Sequence, residues 1–252
     1  MNEYATDPAF QFDEIAFLYD ELMEGVAYEA WVKYLNQILD KYEYEPKTIL
    51  DLCCGTGRIS RYLAAEGYKV TGVDISPEMI KRAERHAEED NLPIQYHVQD
   101  ASMLELDSTF DLVISFFDSL NYILDIRALQ RCFSRISAHL NPGGMLIFDM
   151  NTELALVTGM FDQNNKGSKS EVIYNWKSTY NESAQICMVE MDFLYRNDIT
   201  KHVTHYQRAY TLGDISAMLG AAALELVAVY DAYSFRRVNT KSDRVFFIAR
   251  KS

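Results

Sequence analysis

Asp51, Gly55, Gly57 and Asp74 have the types and spacing to grip a nucleoside. Each aspartate closes an apolar run, Ile49-Leu50 before Asp51 and Val70 to Val73 before Asp74. Between them runs Cys53-Cys54-Gly55-Thr56-Gly57-Arg58. A carboxylate at the end of a strand can accept hydrogen bonds from both hydroxyls of a ribose. Glycine tolerates positive φ and lets a ligand approach the main chain. The plain alternative is an ordinary strand-to-helix turn, because a short glycine motif is a weak signal alone. The dinucleotide fingerprint needs a third glycine three residues after the second, and that position is Ser60. A pyrophosphate is therefore served less well than a ligand with ribose and adenine but no phosphate. A nicotinamide-dependent oxidoreductase stands as the weaker alternative.

The surrounding pattern supplies elements to position these residues. Ile59, Leu63 and Ala64 keep helical spacing up to Gly67, and Lys69 to Asp74 reads as a strand. Ser76-Pro77-Glu78 starts a helix that runs to about Asp90, with a capping hydroxyl, a proline at the first turn and an acid at the positive end. Pro93 to Val98 is a third strand leading to Asp100. Asp111 to Phe116 is a fourth, apolar enough to be buried on both faces. A helix from about Arg127 to His139, a turn at Asn141-Pro142-Gly143-Gly144 and a strand from Met145 to Met150 follow. Upstream, Phe12, Ile15, Ala16 and Tyr19 suit a short helix, and Trp31, Tyr34, Leu35, Ile38 and Leu39 form a second helical stripe before Pro46. Residues 153–168 read as a loop. The period then changes to two over Val172 to Tyr180, Ala184 to Tyr195 and Lys201 to Tyr210, with turns near Asn181-Glu182 and Asn197-Asp198. Thr211 caps a helix ending near Gly220, and Leu224 to Tyr230 and Val245 to Lys251 make the last strands.

Five stretches together resemble the class I S-adenosylmethionine (SAM) dependent methyltransferases. They are Leu50 to Gly57, Val73-Asp-Ile-Ser-Pro-Glu-Met79, Gln99-Asp-Ala101, Phe110 to Ser115 and Leu140 to Ile147, in the family's order and spacing. The resemblance covers roughly residues 45–150. Cys53 departs from it, standing where most members carry another glycine, and should stiffen the loop. The bacterial small-molecule branch, including sugar-amine N-methyltransferases, is the part of the family it is most similar to. What this implies is an α/β, Rossmann-like sheet of order 3-2-1-4-5-7-6 with an inserted antiparallel β meander. Residues 1–45 would form an N-terminal lid and helix, 46–152 and 211–252 the SAM-binding core, and 153–210 the inserted substrate lid.

The resemblance also implies roles. Gly55 and Gly57 would pack on the methionine part of SAM, and Asp51 would hold its ammonium. Asp74 would bind the ribose, Ile75 would cover one adenine face, and Asp100 with Ala101 would face the adenine. Tyr19 would lie near the methionine end, and Phe116 and Phe117 beside the methyl group. His205 and Tyr122 are the candidate catalytic residues, His205 as base or substrate contact, and Arg208 could meet an anionic group of the substrate. A metal-assisted route through Asp118, Asp149 and Asn151 is a minor alternative, because Met150 separates ligands that metal-dependent relatives place side by side. A SAM-binding protein without catalysis is the alternative from another class.

Composition narrows the partners. A net charge of −13 disfavours nucleic acid, so the acceptor is expected to be a small molecule. The loop after the fourth strand also lacks the proline-rich motif of nucleic-acid amino methylases. Cys53, Cys54, Cys132 and Cys187 have neither metal-ligand spacing nor a disulfide framework, which suits the cytoplasm. No apolar run is long enough to span a membrane, and Met1-Asn2-Glu3-Tyr4 lacks a signal pattern. A homodimer is compatible with all of this.

Overall fold

The computed structural model describes residues 8–165, 172–195 and 199–252. Seven strands form the main sheet. They are β1 (Thr48–Leu52), β2 (Lys69–Asp74), β3 (Gln95–Val98), β4 (Phe110–Ser115), β5 (Leu140–Asn151), β10 (Leu224–Asp231) and β11 (Arg244–Lys251). Their order is β10-β11-β5-β4-β1-β2-β3. β1 to β5 pair in parallel, whereas β11 runs antiparallel to both β5 and β10. This is the expected order 3-2-1-4-5-7-6, with β11 and β10 as its last two strands.

Helices cover both faces, as a parallel sheet requires. On one face α3 (Tyr28–Lys41) and α4 (Arg58–Ala65) turn Trp31, Leu35, Ile38, Ile59 and Leu63 onto Ile49, Leu112, Ile114 and Ile147. On the other, α6 (Ile126–His139) and α8 (Leu212–Ala221) bury Leu129, Phe133, Ile136, Ile215 and Leu219 against Leu50, Val113, Phe148 and Phe247. Each fully buried side chain of this size contributes about 1.5–3 kcal/mol. α5 (Pro77–Glu89) begins as its sequence directs, with Ser76 Oγ accepting from the Met79 amide at 3.1 Å.

The second sheet contains β6 (Gln163–Asn164), β7 (Val172–Asn181), β8 (Ile186–Tyr195) and β9 (Ile199–Arg208), all antiparallel. Its apolar face carries Val172, Cys187, Val189, Met191, Phe193 and Val203. Ile15 and Leu18 from the N-terminal segment pack against that face.

Three expectations change. The N-terminal segment forms two helices, α1 (Pro8–Asp13) and α2 (Ala16–Leu22), rather than one. Residues 153–165 are not simply a loop. Thr152 caps α7 (Glu153–Val157), and β6 pairs with β7. The turn at Asn141 to Gly144 lies within β5, absorbed by a register jump between Phe110 opposite Leu140 and Leu112 opposite Met145. Residues 166–168, the Asn197-Asp198 turn and Met1 to Tyr4 lie outside the described residues. No described helix is long and apolar enough to cross a membrane.

Candidate functional site

The loop from β1 to α4 is built on left-handed backbone at Cys53, Gly55 and Gly57, with φ of 62°, 55° and 73°. At Cys53 a side chain occupies a conformation that favours glycine, which is the physical content of that departure. The two glycines serve different ends. A Cβ on Gly55 would meet nothing within 4 Å, because that face opens on a cavity. A Cβ on Gly57 would lie 2.3 Å from Tyr96 Oη, and Gly57 does not line the cavity. Gly57 therefore makes room for a packed tyrosine beside the loop.

Asp74 ties this loop to β2. Its Oδ2 accepts from the Gly55 amide at 2.8 Å and its Oδ1 from the Ser76 amide at 2.9 Å. A carboxylate has about four lone-pair sites, so acceptor capacity remains for a ligand. Burial raises the Asp74 pKa against these two hydrogen bonds. Asp51 is buried too. Ser60 Oγ donates to it at 2.5 Å, and burial pushes its pKa up to about 7. Asp100 accepts from the Ser102 amide at 2.7 Å and stands exposed beside Ala101.

A single cavity of about 450 Å³ joins these residues to the inserted sheet. One end is lined by Asp51, Gly55, Asp74, Ile75, Asp100 and Ala101. Tyr19, Phe116 and Phe117 line it too, and Tyr122, Phe161, Trp176, Met191 and His205 line its side toward the inserted sheet. The candidate cofactor and catalytic residues other than Gly57 therefore line one cavity, whereas Arg208 does not. His205 is buried on β9. Its Nε2 lies 2.6 Å from the Gln11 main-chain oxygen, and burial lowers its pKa to about 4. The Phe12 ring packs 4.9 Å from both the Tyr122 and His205 rings. Burial also raises the pKa of the Tyr19 and Tyr122 hydroxyls.

Behind this cavity Arg244 of β11 clamps two carboxylates. It donates to Asp118 Oδ1 at 2.6 Å and also to Asp149 Oδ2. Asp118 further accepts from Gln207 at 2.5 Å, and Asn151 donates to Gln207 at 3.0 Å. A guanidinium thus already compensates the Asp118 and Asp149 carboxylates, which weighs against the metal-assisted route, while the Asn151 side chain joins the network only through its amide nitrogen, its Oδ1 being buried without a partner. Phe117 and Asp118, with φ of 63° and 50°, form the strained corner held by this clamp. Arg208 is spent on main-chain oxygens, those of Leu124 at 2.6 Å and Ala184 at 2.9 Å, rather than left for a substrate.

Sequence reasoning missed Arg58 and Tyr28. Both line the cavity, the Arg58 guanidinium lies 5.0 Å from the Tyr28 ring, and Arg58 Nε is buried without a partner. A cation at the first position of a helix opposes the helix dipole. That mismatch was the available signal that Arg58 has an acidic neighbour, and Asp20 lies 3.9 Å from its guanidinium.

A family model described as a methyltransferase domain matches residues 49–144. A protein of Geobacillus sp. (strain WCH70) named as a methyltransferase is 31% identical over 245 residues, covering 95% of this chain and 99% of its own. The crystal structure of a SAM-dependent methyltransferase from Clostridium acetobutylicum ATCC 824 is 28% identical, with a TM-score of 0.84 over 96% of this chain and 99% of that one. The SAM-bound structure of an amino pentose methyltransferase from Micromonospora echinaspora shares the fold at 18% identity. Its TM-score is 0.70, over 94% of this chain and 96% of that one.

Proposed function

The chain belongs to the SAM-dependent methyltransferases, and from that premise we propose that it methylates a nitrogen or oxygen of a small molecule held between the N-terminal helices and the inserted sheet. The observation that carries the reading is the continuity of one cavity from Gly55 and Asp74 to Tyr122 and His205. The residues fit SAM. The open face at Gly55 leaves space against the main chain, and the remaining acceptor capacity of Asp74 suits ribose hydroxyls. Asp51 would take the ammonium, and the unpartnered Arg58 Nε belongs to a cation suited to the carboxylate. Ile75, Asp100 and Ala101 would enclose the adenine, with Tyr19, Phe116 and Phe117 around the sulfur. Bound SAM supplies a methyl group on a positively charged sulfur, open to displacement by a lone pair in line with the carbon–sulfur bond.

The chain's own work is then positioning, exclusion of water and removal of a proton. Aromatic side chains wall the acceptor end, and Tyr122 orients the acceptor. His205, neutral at physiological pH, takes the proton that an attacking amine or hydroxyl must lose. The net charge of −13 supports a small acceptor over nucleic acid.

The test is incubation with SAM and a panel of aminated sugars, other amines and hydroxylated aromatics, with products read by mass spectrometry. The expected outcome is a methylated product and stoichiometric S-adenosylhomocysteine. Tight S-adenosylhomocysteine binding with no turnover across the panel would favour the non-catalytic alternative.

A further inference from the structure

Gln11 of α1 is buried, at 3% exposure, and holds the inserted sheet by two bonds. Its side-chain Oε1 accepts from the Tyr206 amide at 3.0 Å, and its main-chain oxygen lies 2.6 Å from His205 Nε2. A carbonyl oxygen has no proton to give. The imidazole must donate, so the neutral ring carries its proton on Nε2 and keeps its lone pair on Nδ1. No described residue is seen to bond Nδ1, and His205 lines the cavity. Two residues along, Asp13 accepts from Ser76 Oγ, and its Oδ1 lies 3.4 Å from the Glu78 amide. Ser76 is the residue whose amide binds Asp74. One short helix therefore touches the cofactor side of the cavity and the imidazole on the acceptor side.

We propose that Gln11 is a positioning residue whose main-chain oxygen fixes the His205 proton on Nε2, so that the base is set for the acceptor only when α1 is docked. The proposal rests on the reading of His205 as the base. With α1 displaced, the ring loses the acceptor that selects its tautomer. Docking of α1 then prepares the base at the same moment that Asp13 closes over the start of α5.

Nitrogen-15 NMR of histidine-labelled protein tests this, with the His205 signals assigned from the His205→Gln spectrum and S-adenosylhomocysteine as the probe. The expected wild-type result is a protonated Nε2 and an unprotonated Nδ1. Gln11→Ala keeps the main-chain oxygen but loses the Tyr206 contact that holds α1 on β9, so hydrogen exchange should show α1 loosened and the spectrum a mixture of tautomers. Gln11→Glu restores an oxygen acceptor for the Tyr206 amide and should restore the single tautomer. A proton on Nδ1 in the wild type, or an unmixed Nε2 tautomer in a Gln11→Ala protein whose α1 amides have lost their exchange protection, would overturn the proposal. The wild-type spectrum decides the tautomer even for a variant that does not fold. If the tautomers behave as expected but His205→Gln methylates a panel acceptor at the wild-type rate, it is the base reading that fails.

Discussion

Burial moves the titration of Asp51 from the usual carboxylate range to about 7. With no ligand present, about half the molecules at neutral pH carry a proton there. An ammonium beside Asp51 would favour its ionised form and drive that proton off. S-adenosylhomocysteine binding should therefore release protons near pH 7 and weaken as pH falls below that value. Titration calorimetry in buffers of different ionisation enthalpy reads this directly, and Asp51→Asn should abolish the release. An equal release from the variant would remove Asp51 from the cofactor's amino end. The same shift has a sign for stability. The folded state holds this proton more tightly than the unfolded chain, so the contribution is present at acid pH and is lost as pH rises through about 7. Asp74 behaves differently, because it anchors the Gly55 and Ser76 amides. Asp74→Ala should weaken S-adenosylhomocysteine binding about 10- to 100-fold, the scale of losing charge-assisted hydrogen bonds. Undiminished affinity would mean that the ribose lies elsewhere. Asp51, Gly55 and Asp74 were legible in the sequence because strand ends and glycine loops have local signatures. Gly57 was legible as a glycine but not in purpose, since Tyr96 approaches it from 39 positions away.

The hairpin of β10 and β11 closes the sheet and also carries Arg244 to the corner beyond β4. There the guanidinium compensates two carboxylates, and burial keeps Asp149 up at about 6 even so. Arg244→Met keeps much of the bulk and removes the charge, leaving Asp118 and Asp149 facing each other. Breaking a buried pair in this way costs about 3–5 kcal/mol. Urea unfolding should show a loss of that size at pH 8 and a smaller one at pH 5, where protonation relieves the repulsion. A loss independent of pH would assign the damage to packing against Trp31 instead, whose ring lies 5.4 Å from the guanidinium. No sequence pattern exposes this clamp, because its members lie on β5, β9, β11 and the turn that follows β4. The elements themselves were more legible. Thr211 and Ser76 cap their helices as residue type directs. The break between α1 and α2 has no glycine or proline to announce it. Residues on either side of it instead dock elsewhere, Asp13 on α5 and Ile15 on the inserted sheet. α7 was hidden for a different reason: its five residues are too few for a period, and the polar stretch after Gly159 dominates the reading.

At the scale of the molecule, the cavity is made by pieces distant in the chain, and Gln11 meets His205 across 194 residues. The strand order could be read in advance, since each strand carries its own motif and the family resemblance supplies their sequence of pairing. Which residue of the N-terminal helices meets which wall could not, because that depends on how two separate layers settle on a common core. Among the contacts that hold the N-terminal helices are those of Gln11 on β9, Asp13 on α5, and Asp20 beside the glycine loop. Asp20 accepts from Thr56 Oγ1 at 2.9 Å, with His86 at 3.6 Å and Arg58 at 3.9 Å. Thr56 and Arg58 belong to the loop that would meet the cofactor's amino acid end, so a ligand that orders this loop should also hold down α2. Limited proteolysis should accordingly cut residues 8–22 more slowly when S-adenosylhomocysteine is present. Asp20→Ala removes the anchor at the loop while leaving those of Gln11 and Asp13. Its cleavage should be faster than wild type without ligand, and protection by S-adenosylhomocysteine should be weaker at equal site occupancy. Identical cleavage of the two proteins at every occupancy would separate the lid from the cofactor loop, and the cavity would then be closed from the acceptor side alone.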